Sequence, residues 1–224
     1  MPLRAALPVG VLAVVVALAT GCSGMPAARS GTSATASTSS PSRASLAVGD
    51  ANAPMPAPGT CTIGSRNGQP MPDPACTPGA INPAVTQATI GDTICKSGWT
   101  KTVRPPTSKT NRMKAESARS YNLGQDVKGE YDHLVSLEMG GAPDDPRNLW
   151  VEPGTIPNPK DAVENKLNDA VCSGLIPLAT AQSTIAKNWV TAFDDAGLRV
   201  TGGKICLRDT PTQCATRGGD GTGE

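Results

Sequence analysis

Glu130-Tyr131-Asp132-His133-Leu134-Val135-Ser136-Leu137-Glu138, then Gly140-Gly141, Asn148-Leu149-Trp150-Val151 and Asn158-Pro159: the order of these pieces decides the fold. Residues 130–138 alternate and carry Val135 and Leu137, which predicts a strand. Residues 139–147 hold two glycines and two prolines and read as a loop. Residues 148–151 are a short second strand. Asn158-Pro159 opens a helix, with Val163, Leu167, Ala170 and Val171 at helical spacing and Gly174 as its stop. A second helix over 178–193 puts Ala181, Ile185, Trp189 and Val190 on one face, and the two helices are expected to pack as a pair against the hairpin.

Upstream, Asn82-Pro83 with Ala84, Val85 and Ala88 predicts a short capped helix. Residues 101–106, stiffened by Pro105-Pro106, read as extended, and 107–119 as a helix with a mostly basic face. The fold class is α+β, a small disulfide-stapled domain over 61–214. Aromatic residues are few, and Trp99, Trp150 and Trp189 are expected in the core, with Tyr131 packing on its strand.

The beginning of the chain is read separately. Arg4, the apolar run Val11 to Leu18, and Ala19-Thr20-Gly21-Cys22 form an export-signal pattern over 1–21. The small residues before Cys22 are similar to a lipobox, which makes Cys22 the lipid-modified residue and the membrane a partner through that anchor. Residues 22–60, rich in Ser, Thr, Ala, Pro and Gly, read as a disordered tether, and 215–224 as a disordered tail. An extracytoplasmic location follows, as a membrane lipoprotein or as a secreted protein.

Six further cysteines, Cys61, Cys76, Cys95, Cys172, Cys206 and Cys214, suit three disulfides in an exported chain. Fifteen pairings are open. The pairing expected is Cys61–Cys76 and Cys206–Cys214 as local loops, with Cys95–Cys172 tying the domain's start to its central helix. No Cys-x-x-Cys pair occurs, which argues against zinc.

Net charge is +1, and removal of Arg4 with the signal brings it to zero, so overall charge decides nothing about a polyanionic partner. Its distribution does more. Residues 95–120 carry seven basic side chains and one acidic, whereas 126–170 carry ten acidic and four basic. That is a phosphate-binding wall beside a cation site, or two ordinary solvated faces.

His133 is the only histidine in the chain, and the only side chain here with an unperturbed pKa near neutrality. With Asp132 before it and Asn148 behind it, the stretch resembles the HNH, or ββα-metal, nucleases. The resemblance covers roughly Glu130 to Val171. It implies a ββα-metal hairpin-helix core with added helices, His133 as general base, and Asn148 bracing the loop that positions it. It also implies a divalent metal, Mg²⁺ or alternatively Mn²⁺, on Asp132 and on a His or Asn at the helix start. That last position falls at Pro157 or Asn158, and Asn158 is the side chain able to ligate, although it is equally a helix cap. Asp161 in the first turn is the more remote alternative. Adjacent strand residues point to opposite faces, so Asp132 and His133 share a site only where the strand ends or bulges.

Arg104 and Lys160 are the candidate substrate-binding residues, both set against an ordinary surface role. Glu138 reads as a strand-end carboxylate bonding loop amides, or as a support to the metal site. Three functions compete: a metal-dependent nuclease with nucleic acid as partner, DNA before RNA; a non-catalytic surface lipoprotein that keeps the core as a binding or scaffold module; and an envelope hydrolase using Glu130 and Glu138. No protein partner is indicated.

Overall fold

The computed structural model describes residues 46–124 and 126–216; the signal, Cys22 and the first part of the tether lie outside them, as do 217–224. Two short pairings lead in. Strand β1 (Ala47–Val48) lies parallel to β4 (Ala80–Ile81), and β2 (Gly64–Arg66) forms a hairpin with β3 (Gln69–Met71). Helices α1 (Trp99–Val103) and α2 (Thr107–Ser120) follow, then the central hairpin of β5 (Gly129–His133) and β6 (Leu149–Pro153). Helices α3 (Pro159–Cys172), α4 (Leu178–Asn188) and α5 (Ala192–Asp195) and a last hairpin, β7 (Leu198–Thr201) with β8 (Lys204–Leu207), complete a small mixed α+β domain.

Strand β5 stops five residues before its predicted end, and Asn148 is the reason. Leu134 N–H still donates to the Asn148 carbonyl at 2.8 Å. Val135, the next residue, has its N–H and C=O taken by the Asn148 side-chain amide, each at 3.0 Å. With its backbone satisfied by a side chain, the segment leaves the ladder and turns through a 3-10 helix at Leu137–Met139. Gly141 makes the close return possible. A Cβ there would lie 1.7 Å from the Val135 carbonyl oxygen, so only glycine fits.

Helix α3 has the predicted ends. Asn158 accepts from Lys160 N–H at 2.8 Å with Pro159 behind it. Gly174, at φ 72°, closes the other end, with Leu175 N–H donating to the Ala170 carbonyl at 2.9 Å. Leu167, Val171, Ala181, Ile185 and Trp189 form the core with Val135 and Met139, so the helix pair packs on the turn after β5, while α2 covers β6. A smaller cluster joins Trp150 and Tyr121 to Cys61 and Cys76.

Three local expectations need correction, and one hairpin is new. Asn82 does not start a helix; its side chain makes a turn to Ala84 N–H, and Thr89 takes the Ala84 carbonyl, so side chains replace the helical ladder. Residues 99–103 are helical, and extension begins only at Arg104, ahead of Pro105. The second long helix breaks after Asn188, whose side chain accepts from Val190 N–H at 3.2 Å. The final hairpin, turned at Gly202-Gly203 with φ of 56° and 76°, was not anticipated, although two glycines between β-branched residues are its usual signal.

The tether and tail boundaries also move. Residues 46–60 are fastened to the domain: Gly49 N–H donates to Ile81 O, Gly59 N–H to Arg119 O, and Ser120 Oγ to Pro56 O. Asp50 N–H reaches Asp145 at 2.7 Å, and Arg147 holds both Asp145 and the Val48 carbonyl. Ala215 and Thr216 are likewise bonded, to Ile205 O and Ser173 Oγ. The three disulfides are Cys61–Cys76, Cys95–Cys172 and Cys206–Cys214, as expected. They fit an oxidising, extracytoplasmic environment. No helix among the described residues is long and apolar enough to cross a membrane.

Candidate functional site

The end of β5, the turn after it, the start of α3 and the α1–α2 segment enclose a cavity of about 730 Å³. The acidic and basic segments of the sequence meet there. Arg104 and Lys114 line one side, and Glu130, Asp132, Glu138 and Glu164 the other, with His133 among them. Because β5 ends at His133, the Asp-His dipeptide sits at a strand terminus, and both residues reach this one cavity.

His133 is buried, with Nε2 2.9 Å from the Pro143 carbonyl in the loop. A carbonyl only accepts, so Nε2 carries the hydrogen and Nδ1 is left with the lone pair. Burial lowers the imidazole pKa, partly offset by the Pro143 bond and by Asp132, so the ring is neutral at pH 7. Asn148 is fully buried. It accepts from Val135 N–H and donates to the Val135 and Ala142 carbonyls, each at 3.0 Å, which shuts the loop that carries Pro143.

Lys160 departs most from expectation. It is fully buried, and its ammonium donates to Asp132 Oδ2 at 2.6 Å, to the His133 carbonyl at 2.7 Å and to Glu164. All three of its N–H donors are used, so it presents none to a phosphate. Burial disfavours its charge, yet Asp132, Glu164 and Glu152 hold its pKa far above the ordinary lysine range. For Asp132 the balance is similar: burial works against ionisation, and the Lys160 ammonium outweighs it and keeps the pKa low.

The remaining carboxyls are pushed the other way. Burial raises Glu138 to about 7 and Glu152 to about 8, in each case against the pull of Lys160, and it raises Glu164 well above the usual range. One ammonium therefore balances one ionised carboxylate, and the other acids shift towards neutrality. Glu138 Oε1 is buried without a hydrogen-bond partner. Glu138 belongs to the turn rather than the strand, and both it and Glu130 line the cavity.

Asn158 is committed as well. Its Oδ1 caps α3, and its Nδ2 donates to Glu130 at 2.6 Å. With the ammonium on Asp132 and both side-chain atoms of Asn158 engaged, the two expected ligands do not fit a divalent ion. Among the described residues no group of three or more His, Cys, Asp or Glu is arranged to hold a metal ion. Arg104 is solvent-exposed at the cavity, consistent with contact to an anion. Tyr131 also lines it, with its hydroxyl buried and unpartnered, and burial raises the phenol pKa.

No family model matches the chain, and neither a curated protein nor a solved structure is significantly similar to it. Glu152 and Glu164 escaped the sequence reading, as did the burial of Lys160. One signal existed: Lys160 and Glu164 extend the Leu167–Val171 stripe back by two turns, which puts both on the buried face of α3.

Proposed function

We propose that this domain hydrolyses phosphodiester bonds of nucleic acid outside the cytoplasm, DNA before RNA, with an HNH-like ββα arrangement around His133. The observation that carries the proposal is the His133–Pro143 hydrogen bond inside a cavity flanked by Arg104. It supports a neutral imidazole with Nδ1 as base, held by the loop that Asn148 closes. In the step, water oxygen forms the new bond to phosphorus while its proton passes to Nδ1. The bond to the leaving oxygen breaks, and that oxygen takes its proton from solvent. Arg104 offsets charge on the phosphate oxygens. The export-signal pattern and Cys22 support a cell-membrane lipoprotein or otherwise a secreted protein, and the disulfides favour an extracytoplasmic location.

Plasmid nicking by the purified, disulfide-intact chain tests this, with Mg²⁺ or Mn²⁺ and with EDTA, beside His133→Ala prepared identically. Cutting that disappears in the variant supports the proposal. Equal cutting by both proteins points to a contaminant. No cutting of duplex DNA, single strands or RNA by folded wild type sinks it. A second reading, a non-catalytic surface module, is favoured by the saturation of Lys160 and Asn158, and it predicts that last result.

A further inference from the structure

The resemblance requires a divalent ion where the side chains have placed an ammonium. Three oxygens converge on Lys160 Nζ from two elements: Asp132 Oδ2 and the His133 carbonyl from the end of β5, and Glu164 from α3. Two carboxyl groups and a carbonyl form the donor set that a hard cation takes. The lysine is part of the fold rather than a side chain that swings in. It lies on the same helical face as Glu164, Leu167 and Val171 and is fully buried. Asn158 and Pro159 fix the turn from which it projects. Moving the ammonium aside would strand a buried positive charge and leave Asp132 uncompensated, so a divalent ion would have to displace a completed ion pair.

We infer that Lys160 is the resident cation of this site, its ammonium standing between Asp132, Glu164 and the His133 carbonyl where a metal-dependent site holds a divalent ion, so that no divalent cofactor binds at Asp132. Lys160 is then a positioning residue. It fixes Asp132 and the His133 main chain at constant geometry. Phosphate contact falls to Arg104. The inference rests on the phosphodiester reading only for its consequence in catalysis; the binding claim is independent of it.

The test uses the full chain with its disulfides formed and reads Mn²⁺ binding by electron paramagnetic resonance. Wild type is expected to show no Mn²⁺ site that depends on Asp132. Lys160→Ala, with its cation removed and space opened, is expected to gain one, at least roughly tenfold tighter than any wild-type binding and lost again in Lys160→Ala/Asp132→Asn. A wild-type Mn²⁺ site abolished by Asp132→Asn overturns the inference, as does a folded Lys160→Ala that gains no site. If Lys160→Ala does not fold, the wild-type protein decides alone. Its slowly exchanging Lys160 ammonium resonance is expected to be unmoved by Mg²⁺, and displacement of that resonance by Mg²⁺ overturns the inference. Nicking separates the two claims. Cutting that survives EDTA supports both. Metal-dependent cutting together with an Asp132-dependent wild-type site keeps the nuclease and sinks the resident cation. No cutting, with the binding results as expected, does the reverse.

Discussion

At His133 the carbonyl of Pro143 does what a partner carboxylate does in other histidine sites: it selects the tautomer and fixes the ring plane. It does so without adding charge, so the ring stays a neutral base in a buried setting. Removing the ring in His133→Ala is expected to abolish cutting while the fold persists, checked by nicking beside circular dichroism. Asn148 has the opposite signature. Asn148→Ala leaves Val135 N–H, Val135 C=O and Ala142 C=O buried without their partner. Each such group costs about 1–3 kcal/mol, so a loss of stability on the order of 3 kcal/mol or more is expected in urea unfolding. Wild-type-like stability would mean that the loop closes by other contacts.

Among the elements, those with a strong local signal were legible. Helix α3 was bracketed by Asn158-Pro159 and Gly174, and α2 by its composition, because caps and propensity are written in adjacent residues. The truncation of β5 was not legible, because it depends on a side chain thirteen residues away that satisfies Val135. The same holds for Lys160, since charged residues read as surface unless the partners that bury them are known. Of the fifteen pairings open to six cysteines the structure forms the expected one, and it allows a prediction about which staple matters most. Cys95–Cys172 spans 77 residues, against 15 for Cys61–Cys76 and 8 for Cys206–Cys214. Loop-closure entropy assigns the longest loop a cost on removal of about 4 kcal/mol. Cys95→Ala/Cys172→Ala should therefore lower Tm by roughly 10 °C, and more than either other pair, by differential scanning calorimetry.

For the whole molecule, the fastening of residues 46–60 and the acids around Lys160 have separate consequences. The arm's composition offers little to bury and predicts a tether, yet it is held by backbone groups, which composition does not report. Truncation at Cys61 removes the Asp50 N–H from Asp145, the Val48 carbonyl from Arg147 and the Pro56 carbonyl from Ser120, so it should melt below a chain that starts at Leu46. The buried acids set the response to pH. Glu138, raised to about 7, and Glu152, raised to about 8, both bind protons more tightly in the folded state. Their contribution is complete below the unfolded glutamate pKa of about 4.3 and is lost as pH climbs through 7 and 8. His133, lowered by burial, acts in the other direction, stabilising above about 6.5 and losing that contribution in acid. Asp132, held low, matters only at still lower pH. Three raised acids, Glu138, Glu152 and Glu164, oppose the single imidazole, and each tenfold change in proton affinity is worth about 1.4 kcal/mol. Stability should accordingly decline from about pH 5 to pH 8.5, and Glu152→Gln should flatten the upper half of that decline. Calorimetric Tm values across that range decide it: a profile that rises towards pH 8.5 would show that the acids around Lys160 are ionised together in the folded protein.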